Sequence, residues 1–384
     1  MHYMKKHILI YILLFLFTGP AVLKAEKYQD LDRIYTRAEI TAIEEHTVDR
    51  GSGLKLKETW IMLKILDGEL KGSVKKAVFG GENDMPRDMQ YRIGQKVFIG
   101  IARAGYESST EYISLYDIDN TLYIIILVLL MVLAIVGIGR IKGFTSLIAL
   151  CTSILLFFMV LIPATLKGYP PLPIAVGLSI LSILITLPLI AGLRLKTLAA
   201  ILGASGGIIL ASFLALLFGS LMHLSGLVTN DMLTVFYASD VSIDLRGLAL
   251  SGMIIAALGA VMDICISISS SAAEIYRANP NIPEKKAFSS VLTIGTDILG
   301  SMVNTLILAY VGSSMSLILL IAMKLKPEMP FTLILNYNPV LGEIIKSVIG
   351  SLGMFLSIPL TAWIAVKLYS RSTHMRNKNK GESA

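Results

Sequence analysis

The sequence predicts a polytopic α-helical membrane protein that carries a small β-rich domain outside the cytoplasm. Three observations predict it. The chain of 384 residues is 54% hydrophobic and only 16% charged, with a mean hydropathy of +0.71. Its apolar residues gather in runs of about 20, the length that crosses a hydrocarbon core of about 30 Å. Lys and Arg recur at alternate ends of those runs, the pattern that orients membrane helices.

The elements follow in order. Residues 1–25 open with Lys5 and Lys6, continue as a short apolar core over 7–17, break at Thr18-Gly19-Pro20 and end at Leu23-Lys24-Ala25. The core is short for a span, so a cleaved signal peptide is preferred to an N-terminal anchor. Either one sends residue 26 onward out of the cytoplasm. Residues 26–120 alternate apolar and polar positions over 38–47, 59–65, 75–79, 95–102 and 112–116, with turns at Asp67-Gly68, Gly80-Gly81 and Ile93-Gly94. Five short strands predict a small barrel or sandwich, OB-like in kind. Lys and aromatic residues interleave on these strands. The stretch holds 14 Lys and Arg against 17 Asp and Glu, a net −3, so ordinary strand exteriors are expected and nucleic acid is not a partner.

Seven spans are expected over 121–139, 144–163, 172–192, 198–221, 248–271, 288–312 and 347–366, within a helical domain 121–367. Arg140 and Lys142, Arg194 and Lys196, Arg277, Lys285 and Lys286, and the basic tail 368–384 then all fall on the cytoplasmic side. The net charge of +7 lies mostly at these helix ends. Apolar sequence continues past Gly312 to Met323, too far for one span. Gly312-Ser313-Ser314 is the natural break, and 315–323 reads as a bent or re-entrant piece. The polar loop 222–247, with Asn230, Asp231, Asp240, Asp244 and Arg246, reads equally as an outer vestibule or a solvated connection. Its His223 is expected to be a loop histidine. The two cysteines, Cys151 and Cys265, both fall in apolar spans, so neither a disulfide framework nor a Cys-based zinc site is expected.

Two carboxylates in apolar sequence carry the functional question. Asp263 lies in the span 248–271 and Asp297 in 288–312. At 100° per residue, one face of the first helix gathers Gly252, Ala256, Gly259, Asp263, Ser267, Ser270 and Glu274. One face of the second gathers Thr293, Thr296, Asp297, Gly300, Ser301 and Asn304. Small residues let helix backbones approach, so Gly252, Gly259 and Gly300 are the expected packing points. Asp263 and Asp297 lie at matched depth. If the two faces meet, they form one site whose charge must be balanced by a proton, a metal or another cation.

Three readings compete. One is an ion or solute pathway built from Asp263, Asp297, Asn304, Ser267, Thr296 and Ser301. Another is a purely structural, protonated Asp pair, which fits nearly as well. An intramembrane aspartyl protease ranks last, because Gly295-Thr296-Asp297 lacks the Gly-x-Gly-Asp pattern. No enzymatic activity and no cofactor are expected, and the metal question is open. The bilayer is the expected partner, with an ion or small solute and a second copy of the chain as further candidates.

The same residues resemble the YibE/F family of multi-pass membrane proteins. The likeness is carried by KGYPP (167–171), KTLAAILGA (196–204), IDLRGLALSG (243–252), ALGAVMDICISISS (257–270), GTDILGSMVNTLILAYVG (295–312), SIPLTA (357–362) and, in the outer domain, ILDGELKG (65–72). The resemblance implies an outer β domain before a multi-pass helical part in the cell membrane, and it assigns no activity. Where that family usually has Gly-Arg-Asp, this chain has Gly295-Thr296-Asp297, so an Arg–Asp pair inside this span is not implied. Transport of an ion or small solute is the favoured function. The alternative is a non-transporting anchor or assembly protein whose outer domain binds a partner.

Overall fold

The computed structural model describes residues 33–49, 55–80, 91–102, 112–238, 242–324 and 330–381. The expected leader 1–25 lies outside the described residues, as does Gly81 of the expected Gly80-Gly81 turn. The chain divides into two compact units, residues 1–137 and 138–384, and each is described by itself.

The first unit holds five strands: β1 (Arg33–Asp49), β2 (Lys55–Ile65), β3 (Val74–Gly80), β4 (Lys96–Ala102) and β5 (Tyr112–Ile118). They form one antiparallel sheet in the order β3-β2-β1-β4-β5. The alternation seen in sequence puts Ile61, Leu63 and Ile65 of β2 and Val97, Ile99 and Ile101 of β4 into one apolar core with Ala38 and Ile40 of β1. The outer strands β3 and β5 also approach one another, so the antiparallel sheet curls on itself. Lys76 lies 3.7 Å above the Trp60 ring. Their neighbouring positions 77 and 61 fill the core, so this pair sits on the strand exterior, as expected of the interleaved Lys and aromatics. Asp119 follows β5. Its Oδ1 accepts from the Thr121 backbone N–H at 3.1 Å, which starts the first helix. Hydrogen bonds from the Thr121 side chain and backbone hold the Asp119 carboxyl below the usual range, and the Arg37 and Lys96 charges add to this.

Helix α1 (Thr121–Leu166) begins in the first unit and continues into the second. It has 46 residues, about 70 Å at 1.5 Å per residue. It breaks at Arg140, whose φ is +49°, and it loosens into a π turn over Phe157–Leu161 just before Pro163. The second unit then contains α2 (Pro171–Ala191), α3 (Leu195–Leu221), α4 (Asn230–Ala238), α5 (Leu245–Ala278), α6 (Glu284–Ser313), α7 (Met315–Lys324), α8 (Phe331–Leu335) and α9 (Asn338–Gly381). Among the described residues, six helices are long and apolar enough to cross a membrane, α1 among them. The loop 222–247 contains the short helix α4, an element that neither sequence reading of the loop, vestibule or solvated connection, had placed there. The break near Gly312 is present, because Ser314 caps α6 and α7 starts anew.

The core of the second unit lies where α3, α5 and α9 meet. Gly207 of α3 sits so close to α9 that an added Cβ would come 2.7 Å from Ser357 Cβ and 3.2 Å from Val261 of α5. Gly203 faces Thr361 in the same way. Thr361 Oγ1 lies 2.7 Å from the Ser357 carbonyl and 3.2 Å from Cys265 Sγ. Both cysteines are free thiols.

Candidate functional site

The site begins with two hairpin-related helices. Asp244 Oδ1 accepts from the Gly247 backbone N–H at 2.8 Å and caps α5. Gly247 lies against Pro171, where an added Cβ would be 3.2 Å from the proline ring. Gly226, at φ +83°, leaves room for the Leu245–Arg246 backbone. The segments KGYPP and IDLRG are therefore a junction that seats the start of α5 against the start of α2. At the other end of α5, Asn279 caps the helix and a short turn leads to Pro283 and α6. Lys367 of α9 pairs with Glu284 at 2.6 Å and holds this end of α6.

The helix faces are set by what they bury. In α5, Ile254, Ala257, Val261, Ile264, Cys265 and Ile268 are fully buried against α3, α6 and α9. Asp263 lies on the opposite side and is exposed, with Gly252, Ala256 and Gly259 on the same stripe. In α6, Ala287, Val291 and Gly295 are buried, and a Cβ on Gly295 would come 2.7 Å from Ile268. Asp297, about 200° further round at 100° per residue, is exposed with Thr293, Thr296, Gly300, Ser301 and Asn304. Both stripes therefore turn away from the core.

This corrects two expectations. The stripes do not face each other across one helix contact. Gly252, Gly259 and Gly300 are not packing points among the described residues either, since an added Cβ at each meets nothing there within 4 Å. The physical reason is competition for one core. The large aliphatic faces of α5 and α6 have the glycine-lined faces of α3 and α9 to fill, and close packing there leaves the small-and-polar faces outside.

The contact of Gly295 with Ile268 and the meeting of Leu306 and Ala257 beside Gly350 fix one register between α5 and α6. In that register Asp263 is level with Gly300, and Asp297 is offset by about 5 Å along the axis. Ser267, Thr296 and Ser301 donate to carbonyls of their own helices at 2.8, 2.8 and 3.0 Å, and their oxygens keep free lone pairs. Among the described residues, neither the Asp263 nor the Asp297 carboxylate has a hydrogen-bond or ion-pair partner. Cations reach the far end of this face, where Lys196 Nζ lies 3.5 Å from Ser270 Oγ and Arg277 pairs with Glu274 at 3.3 Å. No group of three or more His, Cys, Asp or Glu among the described residues is arranged to hold a metal.

Sequence reading missed a second polar cluster. Glu343 and Lys346 of α9 pair at 2.7 Å and are largely buried, and Lys346 Nζ lies 5.0 Å over the Tyr310 ring of α6. They escaped notice because the span was drawn from residue 347. The signal was the i,i+3 spacing of opposite charges at the mouth of an apolar run.

No curated protein and no solved structure matches the chain. A family model, YibE/F-like protein, matches residues 127–371, which is more than half of the sequence and takes in both aspartates and the α3–α9 core. The chain is a member of the YibE/F-like family of proteins.

Proposed function

We propose that this protein sits in the cell membrane with seven crossings and moves an ion or small solute along the polar face of α5 and α6. The carrying observation is two unpaired carboxylates at nearly one depth, on adjacent helices, among hydroxyls, an amide and open glycines. A carboxylate facing hydrocarbon at mid-membrane costs about 2.5–3.5 kcal/mol on insertion scales. A face carrying two of them suits water and ions, with the far wall of the path supplied by protein. In this topology α1 crosses twice by breaking at Arg140, residues 26–120 and the loop 222–247 are outside, and the tail is inside. A cysteine at Asn279 should then resist modification from outside intact cells, and its labelling there would overturn the topology.

The direct test is flux. Purified protein in proteoliposomes is assayed with protons, Na+, K+, Mg2+ and Mn2+ in turn. Asp263→Asn and Asp297→Asn should insert and fold yet lose the flux that the native chain supports, and Asn304→Ala should weaken it less. Full flux in both Asn variants would contradict the reading. A second reading, a non-transporting assembly protein, is favoured by one observation, the outward turn of both stripes. It requires a stable partner that co-purifies with the chain, and native assembly in the Asn variants.

A further inference from the structure

We propose that the end of the helical unit where α3 and α6 begin and α5 finishes binds the anionic head groups of bilayer phospholipids. The inference rests on the membrane-spanning reading of these helices and not on transport. Three contacts draw four helices together there. Lys196 Nζ of α3 reaches Ser270 Oγ of α5 at 3.5 Å. Tyr276 of α5 stacks on Tyr369 of α9, with ring centroids 5.9 Å apart. Lys367 of α9 pairs with Glu284 of α6 at 2.6 Å. The charges gathered by these contacts do not balance. Among the described residues, the carboxylates of this end are Glu274 and Glu284, and both are engaged, with Arg277 at 3.3 Å and with Lys367. Arg194, Lys285, Lys286 and Arg371 are exposed, and none has an acidic partner among the described residues. The described residues at the opposite end mix their signs, with Asp231, Asp244 and Glu343 set among Lys167, Arg246 and Lys346.

Charge and depth choose the occupant. A surplus of unpaired cations is complementary to lipid phosphate. Trp363 of α9 precedes Lys367 by one turn and is 56% exposed. An exposed indole near the end of an apolar helix suits the layer where head groups meet hydrocarbon. Arg371 follows Lys367 by about 6 Å of helix, within a Debye length of about 8 Å. The helix continues to Gly381, and Arg376, Lys378 and Lys380 fall about 14–20 Å beyond Lys367, outside that range. The packed end of the bundle, rather than the tail, is therefore the binding surface. Orienting a helix during insertion needs only a bias of charge. It does not require cations from four helices to remain unpaired around one packed end.

Lipid retention tests this with purified full-length protein in neutral detergent micelles. Equal amounts of phosphatidylglycerol and phosphatidylcholine are added, and the lipid that stays bound through size-exclusion chromatography is counted by mass spectrometry. Each Lys or Arg near a membrane surface is worth about fivefold in binding anionic lipid. Phosphatidylglycerol should therefore be retained about tenfold or more over phosphatidylcholine, and the preference should fade as salt approaches about 1 M. Neutralising the free cations together, as Arg194→Gln, Lys285→Gln, Lys286→Gln and Arg371→Gln, should remove the preference. All four side chains are exposed, so the variant should stay folded. Lys167→Gln at the opposite end should change nothing, and removal of residues 374–384 should cost less than the fourfold variant. Excess inorganic phosphate at matched ionic strength should leave the lipid in place. Equal retention of the two lipids, a preference that survives the fourfold variant, or displacement by phosphate alone would overturn the proposal. None of these results depends on flux, so the transport reading stands or falls separately.

Discussion

The α3–α9 contact and the outer face of α5–α6 are written in nearly the same alphabet. α3 repeats small residues as Gly203, Gly207, Ala211, Ala215 and Gly219, all buried. α5 repeats them as Gly252, Ala256, Gly259, Asp263 and Ser267, all but the half-buried Ser267 exposed. The difference is the residue that interrupts the stripe. A stripe of only small residues lets another backbone in and is buried. A stripe carrying a carboxylate leaves the core to its apolar rear face and stays open. Small-residue spacing therefore reports close approach only where no charge shares the face.

The comparison is broken most easily by bulk. Gly207→Leu and Gly203→Leu should each destabilise the helical unit by about 1–3 kcal/mol or more, since overpacking must displace Ser357 or Thr361. Gly252→Leu and Gly259→Leu should stay within about 0.5 kcal/mol, because their side chains enter open space. Thermal unfolding in detergent measures all four. Equal losses in both pairs would show that the outer stripe is packed as tightly as the inner one. If Gly259→Leu keeps the fold but disperses an oligomer on size-exclusion chromatography, a second copy is the missing wall.

Charge separates the regions next. Asp263→Asn and Asp297→Asn should leave the melting temperature nearly unchanged and reduce flux by about tenfold or more, the scale of an essential charge contact. A stability loss with intact flux would assign the pair to structure.

How much of this was legible follows from what periodicity encodes. The helices are long apolar runs and the strands alternate, so both appeared in sequence at nearly their observed positions. Helical spacing also grouped Asp263 and Asp297 with the correct neighbours. It identified a face but not what the face meets, because a 100° repeat carries no information about the adjoining helix. The repeat alone does not say that Ile264 and Ile268 of α5 lie in the buried core. Glu343 and Lys346 were missed for a related reason. An ion pair at the edge of an apolar run resembles a solvated flank until the tertiary fold brings Tyr310 over it.

That ion pair sharpens the contrast further. Lys346→Met should cost about 1 kcal/mol by leaving Glu343 uncompensated among mostly aliphatic neighbours, and adding Glu343→Gln should recover part of the loss. Chemical or thermal unfolding of the single and double variants measures the coupling. An additive double variant would show that the two side chains act independently.

The smallest effect belongs to the first unit. Asp119 is held below the usual carboxylate range by its bonds to Thr121. A lowered folded-state pKa gives stability that is fully present above the unfolded value of about 3.9 and is lost as pH falls through the folded value. Asp119→Asn should therefore lower stability of the β unit slightly at neutral pH and flatten its loss below about pH 4. Near-UV circular dichroism during acid titration would follow Trp60 in that unit, and unchanged acid profiles would remove Asp119 from the account.

Water access to the α5–α6 face tests the central claim most directly. Single cysteines at Gly259, Asp263, Ser267, Asp297 and Asn304, in a chain lacking Cys151 and Cys265, are treated with a small charged thiosulfonate in membranes. Control cysteines replace Ile254 and Val261 of the buried face. The account predicts modification of the first set, protection of the controls, and slower modification at 263 and 297 when the transported ion is present. Modification only by a lipid-soluble maleimide, or equal labelling of both faces, would contradict it.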